Sequence, residues 1–491
     1  MITLGIDAGT QSLKTIALDG ASGEILASAN KPYGLIDGLP AGYAEQDPAI
    51  WWDALRETVA KVLTDLGPRK SEVGGIGVSG QQHGFVPLDA GFEVIRPAKL
   101  WCDTSTSAQC GEIRAALGGR ESTIELAGND ILPGFTAPKI LWLKQNEPVN
   151  FARLAHVALP HDFLNLKLTG TLRMEFGDAS GTALMDVRSR AWCREICDAI
   201  DPRLMDMLPP LGSSLEPAGT LRDELAAEWG LPRNVTVSAG GGDNMMAAIG
   251  TGNIRPGVVT ASLGTSGTIF ACSDQPIIDP QGEIAAFCDS TDHWMPLLCT
   301  MNVTVATEAF RHLFGWDHAR MDAEISSVPP GADGLLFLPY LQGERTPNLP
   351  RGCGVLHGMT TANITPAHLA RAAMEGVTLG MAYGLRRMES LGISPSEIRL
   401  TGGGSHSPVW RQILSDAFDC PVVTMAIAEG AALGAAIQAL QAASPGSSLD
   451  QLAARCTPVK AGSRLEPERA GFYKDLLDEQ NALREKIMSA D

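Results

Sequence analysis

Apolar residues open the chain in short runs separated by turn residues, and the period changes along the first ninety positions. Ile2–Asp7 is a compact apolar run that ends in Ala8-Gly9-Thr10, Leu13–Leu18 follows, and Glu24–Ala29 comes after Asp19-Gly20. Three such runs with Gly, Asp and Thr between them predict a three-stranded meander. Ile50, Trp51, Ala54, Leu55, Val59, Val62 and Leu63 then recur at helical spacing behind Asp47-Pro48, a capping residue followed by a residue suited to the first helical position. Val73–Ser79 returns to strand character. Helix signals follow at 138–146, 161–168 and 220–229, and a strand is expected over Val235–Ala239, broken by Gly240-Gly241-Gly242 before a small-residue helix.

The opening pattern then comes a second time. Val258–Leu263, the turn Gly264-Thr265-Ser266-Gly267 and Thr268–Cys272 repeat the strand–turn–strand unit. Beyond it lie a long helix near 366–391, a strand at 397–400, Gly402-Gly403-Gly404, a helix at 408–418, a strand at 421–424, a small-residue helix at 430–441 and a charged amphipathic helix over 468–488. The chain reads as two similar halves that meet near residue 250.

The 491 residues are enough for two or three domains, with 44% hydrophobic and 19% charged residues, an ordinary globular composition. With 38 basic and 56 acidic side chains the net charge is −18, which argues against nucleic acid or an anionic membrane as the main partner. The ten cysteines show no zinc-ligand spacing and read as buried free thiols. No apolar run approaches 18 residues, and no basic segment with an apolar stretch opens the chain. A cytoplasmic protein is expected.

Glycine-threonine turns between strands expose backbone N–H groups and a hydroxyl, a geometry that suits anions; alone, each is also an ordinary hairpin turn. Two of them opening two similar halves suggest a phosphate chain held between two domains. Neither is a P-loop, since GxxxxGK[ST] is absent. Asp7, just before the first turn, would need a cation between it and phosphate, Mg²⁺ by preference, or else it caps the turn. Asp243 follows three glycines at a strand's end, where α/β ligand sites tend to lie. As a base it would take a proton from an attacking hydroxyl; as a structural residue it would cap a helix. Gly402-Gly403-Gly404-Ser405 repeats the strand–glycine–helix transition, either to let a base or ribose approach the backbone or as a tight turn. Gln81-Gln82-His83-Gly84 follows a strand, and its polar side chains suit sugar hydroxyls, although such a His is often structural. Trp101-Cys102-Asp103 offers a stacking face and a carboxylate, with plain core packing as the alternative.

Taken together, the motifs resemble the FGGY carbohydrate kinases. Asp7-Ala8-Gly9-Thr10-Gln11-Ser12-Leu13-Lys14, Gly264-Thr265-Ser266-Gly267 and Thr401-Gly402-Gly403-Gly404-Ser405 are similar to that family's phosphate and adenosine motifs. Gly134-Phe135-Thr136-Ala137-Pro138-Lys139-Ile140-Leu141-Trp142-Leu143 and the stretch from Gly354 through His368-Leu369-Ala370 to Met374-Glu375 resemble its two signatures. The likeness runs over nearly the whole chain, in order. Segments 44–55, 133–143, 239–244, 262–267 and 337–350 have the character of members that act on D-xylulose. Gln82-His83 is not the Arg-Glu pair of the glycerol kinases. Two places depart from the D-xylulose pattern: Gln82 stands where Met is usual, and Cys102-Asp103-Thr104-Ser105 replaces the usual order after Trp101.

The resemblance implies an α/β, two-domain actin/hexokinase-like (ribonuclease H-like) ATPase fold with a cleft between domains 1–250 and 251–491. It implies ATP-dependent phosphorylation of D-xylulose, with another ketose or a polyol as the alternative. Asp243 and Asp7 are then catalytic, Asp7 also holding Mg²⁺. Gln82, His83, Trp101, Asp103, Asp243 and Asn244 would bind sugar. Gly9, Thr10, Gln11, Ser12, Lys14, Gly264, Thr265, Ser266, Gly403, Gly404 and Ser407 would bind ATP. The expected partners are the sugar and ATP, not nucleic acid or membrane, and a homodimer is left open. A non-catalytic sugar or nucleotide sensor is disfavoured by the intact Asp7, Asp243 and both turns. A chaperone-type ATPase is disfavoured because residues 442–491 are too few for a peptide-binding domain.

Overall fold

The computed structural model describes residues 1–444 and 446–488; Pro445 and the last three residues of the expected second domain lie outside the described residues. The predicted meander is β1 (Ile2–Ala8), β2 (Ser12–Asp19) and β3 (Ile25–Pro32). Helix α1 (Pro48–Leu66) starts where the sequence places it, with Asp47 Oδ1 accepting from the Ala49 N–H at 2.9 Å. Such a cap is worth about 1 kcal/mol. Then come β4 (Val73–Gly80), α2 (Thr136–Asn146), α3 (Pro160–Thr169), β5 (Thr236–Val237), β6 (Gly241–Gly242) and α4 (Asp243–Gly250). The second half holds β7 (Val258–Leu263), β8 (Gly267–Ala271), β9 (Ala285–Cys288), β10 (Trp294–Thr300), α5 (Pro366–Ser390), β11 (Glu397–Thr401), α6 (Pro408–Phe418), β12 (Val422–Thr424), α7 (Gly430–Ala443) and α8 (Ala470–Met488).

The halves repeat each other in topology. The seven-stranded first sheet includes the order β5-β4-β1-β2-β3, and the six-stranded second sheet runs β12-β11-β7-β8-β10-β9. In each, an antiparallel run (β3-β2-β1 in the first, β9-β10-β8-β7 in the second) continues into two parallel strands. Asp7 of β1 lies opposite Ser79 of β4, and Ser262 of β7 lies opposite Thr401 of β11. The topology agrees with the expected two-domain actin/hexokinase-like fold.

β1 is buried along nearly its whole length, as a central strand covered on both faces should be. One cover comes from late in the chain. The small-residue helix α7 packs on β1 and β4, where a Cβ at Gly5 would overlap the Ala432 carbonyl and one at Gly77 the Ala435 carbonyl. It also crosses α4, with Gly434 against the Met246 carbonyl. Leu433, Ala436 and Ile437 share a core with Ile16, Met246 and Ile249. Helix α7 thus follows the second sheet in sequence and packs on the first in space, because only alanine and glycine allow so close an approach.

Two further departures have local causes. The strand expected over Val235–Ala239 covers only Thr236–Val237 and resumes at Gly241. Between them Gly240 takes φ +74°, and Gln438 of α7 bonds both its N–H (2.8 Å) and its C=O (3.1 Å) in place of a strand partner. The hairpin β9–β10 was not expected. Pro296 lies within β10, and proline argues against a central strand, yet here β8 pairing has already ended at Leu297. All ten cysteines are free and seven are buried. No helix among the described residues is long and apolar enough to cross a membrane.

Candidate active site

The glycine strand β6 ends at Gly242, which occupies the N-cap position of α4, so Asp243 is the first helical residue rather than the cap. Its Oδ1 accepts from the Asn244 N–H at 2.8 Å and from Asn244 Nδ2 at 3.0 Å. Burial, then the nearby carboxylates of Asp7 and Asp178, push Asp243 up to about 7. Asp7 sits at the end of β1, where burial raises it to about 6 against the opposing effects of the Ser79 hydroxyl bond (2.9 Å) and Lys14. Neither carboxylate forms an ion pair among the described residues. Two neighbouring acids of raised pKa suit a general base and a hard divalent cation.

Asn244 Nδ2 also donates to Gln82 Oε1 at 2.8 Å, while Gln82 Nε2 is buried without a partner. An orphaned amide donor beside Asp243 is what a polar, hydroxyl-rich ligand would satisfy. His83 takes a left-handed backbone conformation, φ +63°, and its ring lies against Phe135 (4.7 Å) and, from β9 of the second half, Phe287 (5.7 Å). Burial and then Lys139 lower its pKa to about 3, so the imidazole is neutral. The His83 carbonyl is held by Lys139 Nζ (2.7 Å) and by the Thr136 hydroxyl (3.2 Å), both from α2. Lys139 is fully buried, which lowers it to about 7. The α2 motif thus acts by fixing the backbone of His83.

The first turn is braced from below. Gly9 N–H donates to the Ser12 carbonyl at 3.1 Å, and Tyr33 donates to the Gly9 carbonyl at 2.7 Å. Trp101 Nε1 donates to the Thr10 hydroxyl at 2.9 Å, which donates on to Gln81 (3.1 Å), whose amide reaches Gln46 (2.9 Å). Gln11 is exposed and Ser12 partly so. The second turn closes alike, with Gly264 N–H on the Ser266 carbonyl at 3.1 Å. Its carbonyls are taken by the start of the helix Thr304–Leu313: Gly264 by the Thr304 N–H (2.9 Å), Thr265 by the Val303 N–H (3.1 Å). The Thr265 side chain is exposed. Gly402, at φ +79°, packs on the Leu263 backbone, Gly403 faces open space, and Gly404 is buried against Leu263 and Trp410.

Three of the expected ligands are engaged by partners within the protein. Asp103 is fully buried: Oδ2 accepts from Lys99 (3.0 Å) and the Ala44 N–H, Oδ1 from the Ser105 N–H and hydroxyl, so the carboxylate is saturated as scaffold. Ser407 caps α6 through the Trp410 N–H and donates to Asp322 at 2.6 Å, which leaves its hydroxyl no free proton for adenosine. Lys14 pairs with Glu429, just before α7, at 2.8 Å. Trp101 serves through its indole N–H. The residues that sequence reasoning missed are Ser79, Tyr33 and Gln438, all bonded to the site's backbone or to Asp7. Gln438 lies in a helix that reads as plain packing.

The family model for the N-terminal domain of the FGGY family of carbohydrate kinases matches residues 2–250, and that for the C-terminal domain matches 259–443. A xylulose kinase of Haemophilus influenzae is 42% identical over 445 residues, covering 89% of this chain and 90% of its own. A xylulose kinase of Streptomyces coelicolor is 39% identical, covering 89% and 87%. Among solved structures, a "xyloylose kinase" from Brucella ovis superposes with a TM-score of 0.94 at 33% identity and full coverage of both chains.

Proposed function

We propose that this chain, which belongs to the FGGY family of carbohydrate kinases, transfers the γ-phosphoryl group of ATP to the terminal hydroxyl of D-xylulose, giving D-xylulose 5-phosphate and ADP. The observation that carries the reading is Asp243: a carboxylate with pKa raised to about 7, at a glycine strand's end, hydrogen-bonded through Asn244 to Gln82, whose other amide atom awaits a ligand. The sugar lies against Gln82, His83 and Asn244. Asp243 accepts the proton of the O5 hydroxyl as that oxygen forms its bond to the γ-phosphorus and the bond to the ADP oxygen breaks. A base near pH 7 suits this step, and alignment contributes more than basicity, since phosphoryl transfer is loose.

ATP lies with its phosphates between Gly9–Ser12 and Gly264–Ser266 and its adenosine toward Gly403. Asp7, with Asp243 beside it, would hold Mg²⁺, which supplies charge neutralisation for the phosphate oxygens. Their hard oxygen donors fit that ion, and neither forms an ion pair among the described residues. The reading places the protein in the cytoplasm, where ATP is available. Coupled ATP-consumption assays against D-xylulose, L-xylulose, D-ribulose, L-ribulose, glycerol and no sugar test it. D-Xylulose should give the highest kcat/KM; another ketose preferred tenfold or more overturns the substrate and leaves the kinase class standing.

A further inference from the structure

Three strand ends meet at one edge of the second sheet. β10 runs antiparallel between β8 and β9, so the residues that follow those two strands lie beside the residues that precede β10. Cys272 directly follows β8, Asp289 directly follows β9, and His293 directly precedes β10. One ligand atom from each of the three lies within 4.8 Å of the other two. Cys272 and Asp289 are buried, while the His293 side chain is partly exposed and opens the group to solvent. Exposed Asp274, two residues beyond Cys272, brings Oδ1 to 3.7 Å from His293 Nε2.

The turn Asp289–His293 orients its own donors. Asp289 Oδ1 accepts from the N–H groups of Thr291 (2.8 Å) and His293 (2.7 Å), and Oδ2 accepts from the Thr291 hydroxyl (2.6 Å). Three donors on about four acceptor sites leave Oδ2 one site over. The Thr291 hydroxyl gives its proton to Asp289, so at His293 Nδ1, 3.0 Å away, its oxygen is the acceptor. Nδ1 therefore carries the proton of the neutral ring, and Nε2 keeps its lone pair for a ligand. The same turn reaches the first half: Asp292 Oδ1 accepts from the Ser214 N–H (3.0 Å), and the Asp292 carbonyl from Arg190 (2.6 Å).

We propose that Cys272, Asp289 and His293, with Asp274 as the fourth ligand, form a structural zinc site that clamps this edge of the second sheet where it meets the first half. Sulfur and imidazole donors select zinc over Mg²⁺, which takes hard oxygens. As the Zn–S bond forms, the Cys272 thiol releases its proton to water. Tetrahedral zinc holds its ligand atoms about 3.5 Å apart, so His293 and Asp274, the two exposed side chains, close on the two buried ones. The ligands come from two separate turns, and none of them is a group assigned to sugar, ATP or Mg²⁺.

The test is metal binding by the whole chain, stripped with a chelator and kept reduced, with Co²⁺ as the probe and Zn²⁺ as competitor. Wild type should show a thiolate-to-cobalt charge-transfer band that saturates at about one ion per chain and is bleached by Zn²⁺. Cys272→Ser should lose the band, and His293→Ala should weaken binding about tenfold or more. Cys353→Ser, which removes the exposed thiol, should keep the band. At a hundredfold excess over its Kd, Zn²⁺ should raise the wild-type melting temperature by about 5 °C, and that of Cys272→Ser by less. Should Cys272→Ser fail to fold, His293→Ala and Asp274→Ala, both changes of exposed side chains, carry the test. A wild type without the band, a band that survives Cys272→Ser or is lost in Cys353→Ser, or full affinity in His293→Ala overturns the site. A band with no rise in melting temperature overturns its structural role.

Discussion

The two strand–turn–strand units have the same topology and opposite electrostatics. Each has an antiparallel run of strands followed by parallel neighbours, and each closes its turn with a glycine N–H on a carbonyl at 3.1 Å. One residue before each strand ends, the first unit carries Asp7 beside Ser79, and the second carries Ser262 beside Thr401. A carboxylate at one position and a hydroxyl at the other means that a single hairpin can anchor a cation. The other can offer phosphate only backbone N–H groups and the side chains of Thr265 and Ser266. Repetition of a fold therefore does not repeat a function, and chemistry gathers on the side that carries the charge.

Asp243→Asn breaks the comparison most severely, since it removes the proton acceptor from the charged side. Loss of the base should lower kcat by ~10²–10⁴-fold while ATP still binds. In the wild type, kcat/KM should fall as the pH drops through about 7, because the protonated carboxyl accepts nothing. The same substitution should act oppositely on stability. A carboxyl raised from its ordinary range to about 7 binds its proton more tightly folded than unfolded, so its unfavourable contribution is absent in acid and grows up to about pH 7. The ligand-free Asn variant should melt above wild type at pH 8 and lose that advantage toward pH 4. A variant with near-wild-type turnover sinks the base assignment.

Asp7→Asn and Ser262→Asp test the asymmetry from both sides. The first should cost about 10²-fold in rate, comparable to the loss of one group that stabilises transition-state charge, and should raise the Mg²⁺ concentration for half-maximal activity. Unchanged Mg²⁺ dependence and rate would remove the metal from Asp7. The second places a carboxylate beside the other phosphate turn. Without a cation to offset it, the KM for ATP should rise about tenfold, with the sugar KM unchanged. If Ser262→Asp binds ATP as wild type does, the second turn is not where phosphate lies.

The strands, turns and most helices of both units were legible because period and turn chemistry are local. Asp7 and Asp243 stood out because each lies where a strand passes into a turn or helix, beside glycines, although a capping role was open to both. What stayed hidden depends on distant partners. The Ala44 N–H, which completes the set of donors on Asp103, comes from elsewhere in the fold, as does Asp322, which binds Ser407. Gln438 grips Gly240 across 198 positions, and nothing in an alanine-rich helix marks that glutamine as the partner of a strand break. The placement of α7 on the first sheet is hidden for the same reason: alanine and glycine state that an approach is close but not to what.

Gln82→Met is the mildest test, and it asks whether the charged side also sets the choice of sugar. The amide carbonyl holds Asn244 at 2.8 Å, and the amide nitrogen is buried with no partner. A methionine would fill the same space, leave no orphaned donor and contribute no hydrogen bond to a hydroxyl. A neutral hydrogen bond is worth about 1 kcal/mol, so any one ketose should change by about fivefold in kcat/KM. Discrimination should move further, because a donor that bonds one hydroxyl configuration is left unpaired by its epimer. Measured across D-xylulose, L-xylulose, D-ribulose and L-ribulose, the ratios among sugars should shift while the KM for ATP holds. Ratios that do not move would show that the free amide proton of Gln82 faces something other than the sugar.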